Sequence, residues 1–288
     1  MKGIILAAGA GTRLSPATKP ISKILLPIYD RPMIYYPLST LMIAGIRNIL
    51  IITNETDHEN FKRTLGDGSQ FGIKIDYAIQ YVQRGIADAF LIAEEWIGDE
   101  KVSLILGDNI FYGDNVESTI LRATNRDSGA VIFGYQVPDP KRFGVIGFDN
   151  SMTVTSLEEK PTSPKSNYAA VGIYFYDRNV CSLAKLLKPS KRGELEITDL
   201  NIEYLKRNDL SVLFFDENTK WIDAGTFDSL LNSSIFICEK EKELGRKILC
   251  PELIAMKKGF ISKDDLIKWI GMNKDNEYFS SILKEIGD

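Results

Sequence analysis

The segment Gly9-Ala10-Gly11-Thr12-Arg13-Leu14 closes a short run rich in Ile and Leu, and Lys23 lies ten residues beyond Arg13. Glycines at 9 and 11 permit positive φ and let backbone N–H groups approach an anion, and the two cations add charge beside them. That combination suits a polyphosphate. Two other phosphate loops are excluded by spacing: a dinucleotide fingerprint needs a third glycine where Leu14 stands, and no Gly-Lys-Ser/Thr triplet closes a P-loop. Asp108 and Asp223 each follow a short hydrophobic run, so strand ends can bring two carboxylates together to share a divalent ion. Lys19 competes with Lys23 as the loop's lysine, and spacing does not separate them.

Softer chemistry finds little support. His58 is the one histidine, in the polar stretch Thr56-Asp57-His58-Glu59-Asn60, and reads as a surface residue near a helix start. Cys181, Cys238 and Cys250 lack metal-ligand spacing and read as buried reduced thiols, so with no second histidine zinc is disfavoured, and a serine hydrolase would need His58 as its base and lacks the G-x-S-x-G motif. A hard metal held by oxygens remains, and with a triphosphate the natural choice is Mg²⁺. The formal charge is −4, from 35 Lys plus Arg against 39 Asp plus Glu, which points away from nucleic acid and anionic membranes. No apolar run approaches the roughly 18 residues of a membrane span, and no N-terminal leader pattern is present, so a cytoplasmic protein is expected.

The elements that must position these groups follow from periodicity. Lys2 to Ala8 reads as a buried parallel strand, with further strands at 48–53, 74–80, 102–106 and 130–137. Helices are expected from Asp30-Arg31-Pro32, where Asp30 would cap, and at 57–65, 85–97 and 115–126. Such alternation implies right-handed crossovers and ligands outside the carboxyl ends of the strands, where the loop and Asp108 both fall. From 143 to 177 strand-like runs dominate, followed by helices near 178–187 and 198–207 and a strand at 210–215. Trp221 to Thr226 reads as a strand end and a helix cap, and the tail carries helical patterns at 263–271 and 277–286. The class is therefore α/β, with a mixed, mainly parallel sheet covered by helices on both faces, a β-rich extension and a C-terminal helical tail. With 44% apolar residues in 288, a sizeable core is expected.

Six blocks in order carry a resemblance across nearly the whole chain: GAGTRLSPATKPISKILLPIYDRPMIYYPLSTLMIAGI from Gly9 to Ile46, then LGDNIFYG, FGVI, EEKP, RGELEITD and WIDAGT. The chain resembles the sugar-phosphate nucleotidyltransferases, and among them the thymidylyltransferases. The resemblance implies a Rossmann-like fold in which dTTP and α-D-glucose 1-phosphate give dTDP-glucose and pyrophosphate with Mg²⁺, commonly on the way to dTDP-rhamnose. It also implies a homo-oligomer, a tetramer in the family. A uridylyltransferase, or a non-catalytic nucleotide-sugar sensor on the same fold, is the alternative. An intact charged set favours an enzyme.

Carried over residue by residue, the resemblance assigns the nucleotide to Gly9, Gly11, Thr12, Arg13, Lys23, Gln80 and Gly85. It selects Lys23 over Lys19, and gives Gln80 the thymine or uracil edge. Asp108 and Asp223 hold the metal, while Gly144, Glu159, Lys160, Gly172 and Arg192 hold the sugar phosphate. Arg13, Lys23, Lys160 and Arg192 form the catalytic set. Phe143 and Val171 stand where the family often has tyrosine and threonine. Residues 1–137 are expected to form a nucleotide-binding half, 138–250 a sugar-binding half and 251–288 the tail.

Overall fold

The computed structural model describes residues 1–272 and 276–287. In chain order, β1 (Lys2–Ala7) leads through the glycine loop to a short hairpin, β2 (Pro27–Ile28) and β3 (Arg31–Pro32). There follow α1 (Tyr35–Ile43), β4 (Asn48–Thr53), α2 (His58–Leu65), β5 (Lys74–Ile79), α3 (Asp88–Ile92), α4 (Glu94–Ile97) and β6 (Val102–Leu106). Then come β7 (Asn109–Tyr112), α5 (Val116–Thr124), β8 (Ala130–Gln136), β9 (Gly144–Phe148), β10 (Val154–Glu159), β11 (Tyr168–Tyr176), α6 (Val180–Ala184) and α7 (Ile197–Lys206). The chain ends with β12 (Leu210–Phe214), β13 (Lys220–Asp223), α8 (Phe227–Leu244), α9 (Pro251–Lys257), α10 (Lys263–Gly271) and α11 (Glu277–Gly287).

Strands β5, β4, β1 and β6 pair in parallel, and the apolar runs of β4, β1 and β6 bury both faces while β5 lies at the edge. Side chains alternate across the sheet with a period of two: Ile5, Ile51 and Ile105 enter one core cluster, while Ile4, Leu50 and Leu104 enter the other. Each such side chain contributes about 1.5–3 kcal/mol on burial. A third cluster, from Cys250 to Ile286, packs the tail helices together.

The sheet forks at β11. Ala169 and Ala170 pair antiparallel with β9, whereas Ile173 to Tyr176 pair antiparallel with β6, and β8 runs along the other edge. Between the two partners sits Gly172. Beside this fork β7 and β13 form a separate two-stranded ribbon in which Asn109 faces Asp223, and the Ala224 N–H donates to the Asp108 carbonyl at 3.0 Å. Two carboxylates 115 residues apart in the chain are thereby set side by side.

Some local expectations fail for tertiary reasons. Asp30-Arg31-Pro32 does not start a helix; it forms the return of the β2–β3 hairpin, with Tyr29 at φ 60°. Arg31 is buried against Glu241 of α8, and Asp30 pairs with Arg31 and Lys247, so long-range ion pairs take the groups that would have capped a helix. The helix expected at 85–97 begins at Asp88 and breaks at Ala93. Its first turn is given to a backbone exchange with Leu195, which donates to Arg84 and accepts from Ala87. Strand β7 and helix α9, too short to show a period, were not expected. Cys181 and Cys250 are buried as free thiols, while Cys238 is only partly covered. Among the described residues no helix is long and apolar enough to cross a membrane.

Candidate active site

The glycine loop leaves the carboxyl end of β1. Gly11 adopts φ 63°, and a Cβ there would lie 3.1 Å from the Thr18 methyl and 3.4 Å from Cβ of Lys23, so both conformation and space demand glycine. Gly9 differs from the expectation: its φ is not positive, and a Cβ would meet nothing within 4 Å. It borders open space. Leu14, fully buried, pins the short turn Thr12–Leu14, leaving Thr12 and Arg13 exposed above it. The Arg13 guanidinium lies across Gly225, where a Cβ would come within 2.6 Å of Nη2. Only glycine in the Ala224-Gly225-Thr226 turn lets it reach there.

Lys23 opens a second turn, capped by the Ser22 hydroxyl, whose Ser22 N–H in turn donates to Asp57 at 2.9 Å. Its ammonium ion-pairs with Asp108 in a mostly buried contact, whereas Lys19 stays exposed. Burial pushes the Asp108 carboxyl upward, but the Lys23 charge, with hydrogen bonds from Lys23 and Asn109, holds it below its ordinary value. Asp223 is shifted the other way: burial and then the Asp108 charge raise it, against the opposing pull of Lys23, Arg13 and Arg142. Two crowded carboxylates, one resisting ionisation, fit a divalent cation that would relieve the repulsion while phosphate oxygens complete its shell. Asp108 and Asp223 are the residues that would hold it.

Asn109 ties this corner together and was not singled out from the sequence. Its Nδ2 donates to Asp108 at 3.0 Å, and its Oδ1 accepts from the Gly172 N–H at 3.2 Å and from Trp221 Nε1 at 2.7 Å. Gly172 is constrained by the same contact, since a Cβ would fall 2.7 Å from that oxygen. Its neighbours in LGDN and WIDAGT were the available signal.

On the other side, β9 and β10 pair Gly144 with Glu159, whose Oε2 accepts from Thr198 at 2.6 Å. Lys160 follows at φ 44°, donating its N–H to the Phe143 carbonyl at 3.0 Å and placing Nζ 3.4 Å from Glu159. Arg192 lies 2.8 Å from Glu196 and 3.4 Å from both Glu159 and Glu194. It enters the site already surrounded by carboxylates. Burial opposes its charge, but those carboxylates outweigh the effect and raise it.

A cavity of about 620 Å³ gathers Thr12, Arg13, Asp108, Asp223, Gly144, Glu159, Lys160, Gly172 and Arg192 on one wall system. Gln80 and Gly85 are not among the residues that line it, although Ile86, next to Gly85 in the chain, is. The buried Gln80 spends its amide nitrogen on Asp88 at 2.9 Å and the Gly85 carbonyl at 3.4 Å. That fixes the amide and leaves its oxygen as the acceptor for an N–H on a ligand. Gly85, at φ 102°, packs so tightly that a Cβ would sit 2.4 Å from the Leu195 carbonyl.

A site with a glycine loop, paired carboxylates and clustered cations at a sheet fork invites comparison with known proteins. The family model described as nucleotidyl transferase matches residues 2–240. The glucose-1-phosphate thymidylyltransferase of Neisseria meningitidis serogroup A is 49% identical over 99% of this chain and 100% of its own. That of Mycolicibacterium smegmatis is 52% identical over 92% of each. A Bacillus anthracis crystal structure in complex with sucrose, assigned provisionally to the same activity, superposes with a TM-score of 0.76 at 44% identity, covering 82% of this chain and 94% of that one. UDP-glucose pyrophosphorylase complexed with UDP-glucose gives 0.73 at 26% identity, covering 83% and 98%. On a match to most of its length and on relatives near half identity throughout, the chain belongs to the nucleotidyl transferase family.

Proposed function

We propose that this protein is a glucose-1-phosphate thymidylyltransferase, joining dTTP and α-D-glucose 1-phosphate into dTDP-glucose with release of pyrophosphate. The observation that carries this is the single cavity in which the triphosphate loop, the paired carboxylates and the Glu159–Lys160–Arg192 cluster face one another. Residues 1–137 would hold the nucleotide and 138–250 the sugar phosphate, with 251–288 as a supporting tail. Gln80, through its free amide oxygen, would accept from N3–H of thymine.

An oxygen of the sugar phosphate attacks the α-phosphorus, the bond to the bridging oxygen breaks, and pyrophosphate leaves with that electron pair. The attacking oxygen is already anionic, so no general base is needed. No histidine or cysteine among the described residues lines the cavity to serve as a covalent nucleophile. Arg13 and Lys23 stabilise the departing pyrophosphate, while Lys160 and Arg192 position the attacking group. Mg²⁺, when held by Asp108 and Asp223, would neutralise charge on the phosphates. Inversion at the α-phosphorus follows.

Further parts of this reading concern assembly and setting. Phe227, Leu231 and Ile235 recur every four residues on α8 and are 50%, 61% and 45% exposed, a stripe suited to pairing with a second copy. A tetramer working in the cytoplasm and feeding dTDP-rhamnose synthesis is the form we favour. The test of the activity is pyrophosphate release from a matrix of dTTP, UTP and ATP against several sugar 1-phosphates with Mg²⁺. Preference for dTTP with glucose 1-phosphate is expected, and equal turnover with ATP would remove the thymidylyl reading.

A further inference from the structure

Four cationic side chains line the reaction cavity, Arg13, Arg142, Lys160 and Arg192, and a fifth, Lys23, pairs with Asp108 of the lining; three of the five are already engaged. Lys23 pairs with Asp108, Lys160 with Glu159, and Arg192 with Glu159, Glu194 and Glu196. Arg13 and Arg142 carry no ion pair among the described residues. A cation held by carboxylates must loosen those contacts before it can take up a phosphate, whereas an unpaired guanidinium presents its whole fork at once. Arg13 belongs to the triphosphate loop. Arg142 has not been given a role.

Its placement ties it to the sugar side. It ends the short turn Pro140–Arg142, where proline restricts the backbone and Asp139 accepts from the Lys141 N–H at 3.4 Å. The guanidinium lies 5.8 Å over the Phe143 ring, which meets Trp221 edge-on at 5.1 Å. The Phe143 carbonyl anchors the Lys160 N–H, and the next residue, Gly144, pairs with Glu159. Arg142 also borders a second cavity of about 530 Å³ that shares Phe143, Trp221 and Asp223 with the first, so its side chain has space to turn toward either.

We propose that Arg142 is a catalytic residue that grips the phosphate of the sugar 1-phosphate and helps present one oxygen to the nucleotide, a role that rests on the thymidylyltransferase reading above. The fork binds two phosphate oxygens, and the aromatic ring beneath it limits the directions it can take. Arg192, restrained by its glutamates, is then the secondary contact.

Steady-state kinetics of Arg142→Gln and Arg142→Lys in both directions, with thermal melting of each variant, test this. Arg142→Gln should raise the KM for glucose 1-phosphate on the order of tenfold to a hundredfold. The KM for dTTP forward and for pyrophosphate in reverse should stay near wild type, and Arg142→Lys should recover part of the loss. An unmoved KM for glucose 1-phosphate overturns the role, as does a rise confined to pyrophosphate or a lower melting temperature with both forward KM values unchanged. An inactive wild type overturns the substrate reading and this role together. An active wild type with an unmoved KM in Arg142→Gln overturns the role alone.

Discussion

The most informative residue is Asp223, because its environment separates chemistry from stability. Burial and the neighbouring Asp108 raise its carboxyl above the ordinary value, so its ionised form costs the folded state free energy at neutral pH. Asp223→Asn removes that cost together with a metal ligand. We predict a fall in kcat of roughly a hundredfold or more, with a melting temperature at pH 7 equal to or above wild type in the absence of divalent metal. Pyrophosphate release and calorimetry on the same preparation read both, and near-normal turnover at limiting Mg²⁺ would remove Asp223 from the metal site. A residue merely holding the fold would lose stability and rate together.

At the scale of elements, α8 shows a helix whose two faces answer to different partners. Its start is secured by a capping box in which Thr226 and Ser229 exchange hydrogen bonds, and its inner face buries Ser233, Ile237 and Glu241. The outer stripe of Phe227, Leu231 and Ile235 stays largely exposed among the described residues. Leu231→Glu should leave the monomer folded, since the position is 61% exposed, but shift the protein toward smaller species in sedimentation velocity. An unchanged sedimentation distribution would place self-association elsewhere. The same helix also ties the β2–β3 hairpin to the segment that follows α8, because Glu241 binds Arg31 and accepts from the Ile248 N–H at 3.0 Å.

For the whole molecule, the joint between core and tail is the place where pH should act on stability. Glu252 of α9 is fully buried; its Oε2 accepts from Tyr278 at 2.8 Å and Cys250 at 3.2 Å, while its Oε1 has no partner among the described residues. Burial raises its carboxyl above the ordinary value of 4.5. A raised carboxyl contributes stability that is present below its unfolded pKa and lost as pH climbs through the folded one. Glu252→Gln keeps the acceptor for Tyr278 and never ionises. Its unfolding free energy should match wild type below about pH 4 and exceed it increasingly as pH rises toward the folded value, by about 1.4 kcal/mol for each unit by which the carboxyl is raised, read by denaturant unfolding at a series of pH values. A gap independent of pH would show that Glu252 does not titrate in this range.

What the amino-acid order settled alone is local. The short continuous apolar runs specified β1, β4 and β6, and the glycine and threonine signals specified the Gly11 turn and the cap of α8. Each of these depends on groups only a few positions apart, where backbone sterics and hydrogen bonding act without help. The family resemblance carried by the charged blocks, rather than any local rule, named Arg13, Asp108, Glu159, Lys160, Arg192 and Asp223, which meet in the cavity. The tertiary structure alone decided that Asp30-Arg31-Pro32 turns a hairpin, because the partner of Arg31 is Glu241, 210 residues away. It also decided that Gly9 needs no positive φ, that Asn109 links Asp108 to Gly172 and Trp221, and that Arg192 is encircled by three glutamates while Arg142 is free of ion pairs among the described residues. These are statements about which charges share a low-dielectric space, and that is settled by how the sheet forks at β11 and which strand ends the fork brings together.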